Sequence, residues 1–418
     1  MGSLTQSPRA DVQGASGEPA LAASPRLLGP DILRGFLLLW MMLTHMPTDA
    51  SVIANQTFGF VSGAEGFIFL SAFMVSRLAR HIEQKHGVAA TFRDLVRRTF
   101  RVYAYHCVLL VIAFTGVAAV AVSFHRLSLE NLLSYYLASP KQATIAAFLL
   151  AYRPSLFDIL PMYVIFMALT PLVRETARRW SWKPVIGVSV AIWVAAQFGV
   201  RAWIHNHFHL FGIVVPQDST GAFNLYGWQL LWTAGLALGS LSAHLPQGRS
   251  PLSAIGLRVP PRWLKWSIGV AIILLVLRYC PVYQWINPVL YGALIDKWRL
   301  GPARLIDFAA LTAIVIRYGA KLRNIPFIRP LAVLGQASIE VFSVHILFCL
   351  GAHALSPDAD PRFPWWEQIA MLTVTILGLF ATAQLARKYG KRGKRRRAAA
   401  QIAASPRSVL RSIPGEAR

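Results

Sequence analysis

The chain has 418 residues, 55% of them hydrophobic and only 14% charged. A soluble chain of this length carries about 25% charged residues, so the composition excludes a string of soluble domains and favours one membrane domain. The net charge of +24 does not point to nucleic acid, because the positive residues sit in short clusters between apolar stretches, as cytoplasmic loops of membrane proteins do.

Residues 1–26 are rich in Ser, Ala, Gly and Pro and read as a disordered cytoplasmic segment. Apolar stretches follow near 32–49, 57–80, 100–121, 158–174, 184–204, 222–243, 265–281, 303–320, 334–353 and 367–386. Each is long enough to cross about 30 Å of hydrocarbon. The pattern predicts an all-α integral membrane protein, a bundle of about ten transmembrane helices over 27–386, closed by a basic, disordered cytoplasmic tail over 387–418. The even-numbered connections carry the basic residues: Arg77 to Arg101, then Arg174 to Lys183, Arg249 to Lys265, and Arg317 to Arg329. The tail reads RKYGKRGKRRR, so both termini are expected in the cytoplasm. The third connection, about 122–157, is long and holds an apolar patch at 143–152, too short to span and read as an interfacial or re-entrant helix on the outer side. Cys107, Cys280 and Cys349 lie at or inside apolar stretches, an odd set that builds no disulfide framework.

Ionisable groups inside hydrocarbon are costly and mark functional positions unless paired. The first stretch, DILRGFLLLWMMLTHMP, holds three: Asp31, Arg34 and His45. Ten residues separate Arg34 from His45, which places them about 16 Å apart along a helix, at opposite ends of one path. Glu65 opens the second span in FGFVSGAEGFIFLSAF, and Asp158 opens the fourth in DILPMYVIFMALTP. The topology sets His45, Glu65 and Asp158 in the outer third of the membrane, where a histidine general base oriented by a carboxylate is chemically sensible. Each also has a plainer role: an interfacial histidine, an arginine's structural partner, and a helix N-cap. Gly59, Gly63 and Gly66 beside Glu65 serve either close helix packing or a cavity wall.

At the inner end, Asp31 and Arg34 have i, i+3 spacing and either pair with each other or present a guanidinium to the phosphates of a cytoplasmic donor. Arg97, Arg98 and Arg101 either join that site or orient the chain at the headgroups. His345, with Glu340 five residues before it, lies inside the ninth span and is a candidate cavity residue. Trp228 and Gln229 in NLYGWQLLW either face an acceptor sugar or anchor at the interface. The tract RAWIHNHFH, with Arg201, His205, His207 and His209, has no carboxylate beside it and reads as an interfacial belt rather than a metal site.

Arg34, ten residues and His45 resemble the signature of the membrane-bound acyltransferase superfamily often called acyltransferase family 3. The segments DILRGFLLLWMMLTHMP, FGFVSGAEGFIFLSAFMV, DILPMYVIFMALTPL and FNLYGWQLLWTAGLALG more closely resemble the OpgC family, over about residues 27–386, with Ala72 where the family's usual LSGF has glycine. That family comprises succinyltransferases that decorate osmoregulated periplasmic glucans in Gram-negative bacteria. The resemblance implies a bacterial inner-membrane enzyme with no permanently bound cofactor, succinyl-CoA or a similar acyl-CoA as cytoplasmic co-substrate, and a periplasmic glucan as acceptor. It also implies that His45 is the functional histidine and Arg34 the functional arginine. A succinyl donor adds a carboxylate, for which Arg153, Arg201 and Arg278 are the outer-side candidates. A homo-oligomer is compatible with the sequence. The competing reading is a transporter or exporter of an anion or glycan without acyl chemistry, but the paired halves common in transporters are not visible.

Overall fold

The computed structural model describes residues 28–207, 214–243, 260–281, 285–322 and 326–404. The N-terminal segment 1–26, most of the sixth connection with Arg249 and Arg258, His209, Arg323 and the tail beyond residue 404 lie outside the described residues. Among those described, every regular element is helical.

Helix α1 (Leu28–His45) is rich in Leu and Met, carries Asp31 in its first turn and His45 in its last, charges that suit the two ends of the helix dipole. Pro47 stops it, since a residue before proline is pushed away from helical geometry. After the short α2 (Asp49–Ala54) comes α3 (Gly63–Ile112), opened by a capping box in which Ser62 and Glu65 satisfy each other's end of the chain. At Gly87 the backbone takes φ 80° and ψ 177°, a region open essentially to glycine alone. The Thr91 hydroxyl donates to the Ala79 carbonyl at 3.4 Å. Residues twelve apart in a straight helix are about 18 Å apart, so α3 folds back on itself at Gly87. Its two arms correspond to the second and third apolar stretches. The helical path continues through a π-turn (Ala113–Val117) into α4 (Ala118–Ser123).

The long third connection folds as α5 (Leu127–Leu132), α6 (Ser134–Ala138) and α7 (Pro140–Phe148). Helix α7 ends earlier than the patch read from the sequence, at a turn where Leu150 has φ 63°. Its buried Ala143, Ala146 and Ala147 form a thin face, and Tyr103 of α3 donates to the Phe148 carbonyl at 2.9 Å.

Then come α8 (Ile159–Trp180), α9 (Trp182–Gln197), α10 (Val200–His207), α11 (Leu225–Ser242), α12 (Pro261–Tyr279), α13 (Pro288–Ile295), α14 (Pro302–Leu322), α15 (Leu331–Gln336), α16 (Ser338–His353) and α17 (Trp365–Ala404). Two of these depart from the expected straight spans. The fifth bends by 81° between α9 and α10. The ninth breaks at Ala337 into α15 and α16. Helix α17 runs past residue 387, where the sequence reading placed the start of a disordered tail.

The core forms around α3, which packs against α1, α8 and α11, while α1 also meets α15 and α16. Small residues set these distances. A Cβ on Gly235 or Gly239 of α11 would strike the Phe69 or Phe73 carbonyl of α3, and one on Gly335 would strike the Asp31 carbonyl of α1. Such close approach is how helices associate where no water drives them together. Large apolar side chains instead point outward on α9 (Val188, Val190, Ile192), α12 (Ile272, Ile273, Val276) and α17 (Val374, Leu377), as lipid-facing helices require. By length and composition three described helical stretches suffice to cross a membrane, Gly63–Ser123, Ile159–Trp180 and Trp365–Gly390, or four if the bent α9–α10 pair is one span. Helix α1 is diluted by Asp31, Arg34 and His45, α11 by its glycines, serines and Gln229, and α16 is short.

Candidate active site

His45 at the end of α1 and His345 in α16 come together. His45 Nδ1 lies 3.3 Å from His345 Nε2, and the rings stack at 5.6 Å with planes 17° apart. His345 is fully buried, and its Nδ1 is 2.7 Å from the Phe342 carbonyl. A carbonyl only accepts, so the hydrogen-bond network assigns a proton to His345 Nδ1. Its Nε2 is then an acceptor, His45 Nδ1 donates to it, and His45 Nε2 is left with a free lone pair. One backbone carbonyl thereby sets the tautomer of both rings.

The sequence reading expected a carboxylate in the place that His345 occupies. Neither candidate has a hydrogen bond to His45 among the described residues. Glu65 is fully buried. Its Oε2 accepts from the Ser62 amide at 3.0 Å and the Ser62 hydroxyl at 2.6 Å. Its Oε1 accepts from Arg304 Nε at 3.0 Å and from Arg304 Nη2. This is the arginine-partner role, with the arginine supplied by α14. Asp158 makes no side-chain cap to α8; its Oδ2 accepts from the Ala222 amide at 3.2 Å and ties the loop before α11 to the start of α8. Gly63 and Gly66 face Met41 and Leu37 of α1, leaving no space for a Cβ, so these two glycines serve helix packing.

Arg34 lines a narrow cavity of about 40 Å³ together with Phe67, Val102, Tyr163, Ser338 and Phe342. Its guanidinium donates to the Ser338 hydroxyl and lies 5.9 Å from the centre of the Phe67 ring, while its buried Nε has no hydrogen-bond partner among the described residues. Phe67 stacks on Phe342 at 5.9 Å, and Phe342 meets the His345 ring edge-on at 4.8 Å. The wall of the arginine cavity and the histidine pair are therefore continuous through Phe342. Asp31 is buried one turn before Arg34. Arg101 pairs with Glu340 across α3 and α16, and Arg98 pairs with Asp94 at 2.6 Å.

The expected acceptor and acyl residues divide. Trp228 is fully buried, and its indole N–H donates to the Lys297 and Trp298 carbonyls at 3.2 and 3.1 Å. Gln229 accepts from the Ser189 hydroxyl at 2.7 Å and donates to the Ser189 carbonyl at 2.7 Å. Trp228 thereby ties α11 to the turn before α14, and Gln229 ties α11 to α9. Arg201 lines a cavity of about 520 Å³ with Gln217, Asp218, Asn224, Asp296, Trp298 and Arg299. It also donates to the Thr220 hydroxyl at 2.6 Å and the Gly221 carbonyl at 2.6 Å, stapling the loop that walls that cavity. Arg153 donates to the Leu150 carbonyl at 3.1 Å; burial, with Arg201 second, lowers its guanidinium to about 10. Arg278 lies over the Tyr279 ring on α12, a helix that packs on α14.

Three polar residues of the site were missed. Arg304 and Asp307 are wholly buried on α14, Asp307 accepting from the Phe60 amide at 2.7 Å. Lys297 is half-buried, and its charge acts on Glu65, Asp158 and His45. The signal was present in the sequence: Lys297 and Arg299 lie in an odd-numbered connection, with Arg304 at the start of the next span, where the basic-loop pattern leaves them unexplained.

A family model described as OpgC protein matches residues 26–391. No curated protein matches the chain, and no solved structure matches it.

Proposed function

The chain belongs to the OpgC family, and from that premise we propose that it is a membrane O-acyltransferase that moves a succinyl group from cytoplasmic succinyl-CoA to hydroxyls of a periplasmic glucan. The observation that carries this reading is the wall shared by the Arg34 cavity and the His45–His345 pair through Phe342. A cation suited to phosphate and a base suited to a sugar hydroxyl then serve one path from two sides, in the manner of the wider membrane acyltransferase superfamily.

In this reading His45 Nε2 takes the proton of the glucan hydroxyl as its oxygen bonds to the thioester carbon. The carbon–sulfur bond breaks, the electron pair leaves with the coenzyme A sulfur, and the proton held by His45 passes to that thiolate. The hydrogen bond from His45 Nδ1 to His345 strengthens when His45 becomes cationic, so His345 is a positioning residue. Asp158 and Arg201 shape the loop beside the larger cavity, where the glucan docks. The glutamate of the capping box acts through Arg304 as a strut.

The test is mass analysis of periplasmic glucans from cells with and without the protein. Succinylated glucan only in its presence is expected. Unmodified glucan at normal periplasmic abundance in both strains sinks the acyltransferase reading, and glucan trapped in the cytoplasm without the protein favours the transporter.

The same reading places the chain in the bacterial inner membrane with ten crossings and both termini cytoplasmic. The reversal of α3 at Gly87 supports counting its two arms as separate crossings, and the basic even-numbered connections support the orientation. Reporter fusions after residues 90, 140, 250 and 400 should read in, out, in and in. A periplasmic signal at 250 removes this map.

A further inference from the structure

The turn between α13 and α14 is held by more hydrogen bonds than its length requires. Asp296 Oδ1 accepts from the amides of Trp298 at 2.7 Å and Arg299 at 3.1 Å. The Trp298 carbonyl accepts from the Asn224 amide at 2.9 Å and from the Trp228 indole. The Arg299 carbonyl accepts from Gln197 at 3.0 Å, and Gly227 of α11 presses so close to that carbonyl that a Cβ would overlap it. The backbone is thus clamped by α9 and α11.

The side chains of this turn divide between two sides. Asp296, Trp298 and Arg299 line the larger cavity. Lys297, between them, is not part of that lining. Its ammonium lies 5.1 Å from the centre of the Trp298 ring, and its charge acts on Glu65, Asp158 and His45. Among the described residues no carboxylate comes within ion-pair distance of it. The nearby carboxylates have other partners, Glu65 with Arg304 and Ser62, and Asp158 with the Ala222 amide. The other cations of this region are engaged as well: Arg304 by Glu65, Arg201 by the 217–221 loop and Arg153 by Leu150. Burial also pulls the Lys297 ammonium below the ordinary lysine range. A half-buried cation on a rigid backbone, without a carboxylate of its own, is what an anionic ligand requires.

We propose that Lys297 receives the distal carboxylate of the acyl group and so makes the enzyme select acyl donors with an anionic end over neutral ones. This rests on the acyl-transfer reading above and adds to it the residue that distinguishes a dicarboxylic from a monocarboxylic acyl chain. It also replaces the arginines expected from the sequence: Arg153 and Arg201 are committed to backbone carbonyls, and Arg278 lies on α12.

The test compares succinyl-CoA with butyryl-CoA, a donor of equal chain length whose far end is a methyl group. Purified wild type, Lys297→Met and Lys297→Arg are assayed in detergent for kcat/KM with each donor and the unsubstituted glucan. Wild type should favour succinyl. Lys297→Met should cut the succinyl-to-butyryl ratio by about ten- to hundredfold, the usual worth of a charge-assisted hydrogen bond, while butyryl transfer stays within a few fold. Lys297→Arg should recover part of the ratio. Retained butyryl transfer reports that the variant is folded. A ratio unchanged by Lys297→Met overturns the proposal. An equal loss of both donors also overturns it and assigns Lys297 to the reacting carbonyl or to the fold. A wild type that transfers neither group refutes the acyltransferase reading itself, and the role of Lys297 with it.

Discussion

Replacing His45 by Gln should lower glucan acylation by about 10²–10⁴-fold, the usual contribution of a positioned general base, while donor binding stays near normal. The reason lies in the tautomer chain. The Phe342 carbonyl fixes His345, His345 fixes His45, and the free lone pair at His45 Nε2 acts only when a proton is transferred. Glutamine preserves a hydrogen bond toward His345 but has no basic nitrogen. Arg34→Ala should fail in the opposite way. Arg34 acts before the chemical step, so its loss should weaken acyl-CoA binding by about ten- to hundredfold, with Arg34→Lys restoring part because an ammonium cannot reproduce a two-pronged contact. The measurement is donor affinity beside single-turnover transfer for purified variants of matched thermal stability. If His45→Gln retains substantial transfer, the histidine pair is a packing feature. If Arg34→Ala binds donor normally, the Ser338 contact is its whole purpose.

What the sequence made legible follows from the range over which the information acts. Hydropathy is local, so the helices and the two arms of α3 were visible, as was the placing of Arg34 and His45 on one helix. Pairings between distant segments were not. His45 meets His345 three hundred positions away, and the carboxylate expected beside it was a chemical guess about which span would approach. Breaks in the fifth and ninth spans were hidden for a similar reason: Gly199 and Ala337 sit inside apolar runs, and hydropathy alone does not register a change of backbone direction. Trp228 and Gln229 looked like ligand residues because aromatic and amide groups serve both sugars and buried hydrogen bonds. Their partners here, the turn before α14 and Ser189 of α9, are a property of the fold. Two further signals are readable in the sequence. Ser62 and Glu65 have the S-x-x-E spacing of a capping box, which already gave the glutamate a structural use. The basic residues of the seventh connection ran against the charge pattern and marked the segment that contributes Lys297 and Arg304.

That capping glutamate supplies the largest expected effect on stability. Glu65 and Arg304 are both fully buried, they join the start of α3 to α14, and the two carboxylate oxygens are used by Arg304 on one side and Ser62 on the other. Taking two charges out of water costs several kcal/mol each, and mutual attraction offsets that only while both are present. Glu65→Gln leaves a guanidinium buried without its counter-charge, and Arg304→Met leaves a carboxylate in the same state. Each should destabilise the protein by about 3–5 kcal/mol, read as a fall in the thermal midpoint in detergent. The double variant Glu65→Leu, Arg304→Met removes both charges together and should recover most of the loss, keeping only the cost of the lost cap, about 1 kcal/mol. Activity of the double variant then decides what the glutamate is for. A strut predicts that a stable double variant still transfers acyl groups. A stable but inactive one returns Glu65 to the chemistry, as the partner of His45 that the sequence first suggested. Equal stability losses in the single and double variants would show instead that the pair contributes shape rather than charge, and that the surrounding packing of α1, α3 and α14 does not tolerate apolar substitutes.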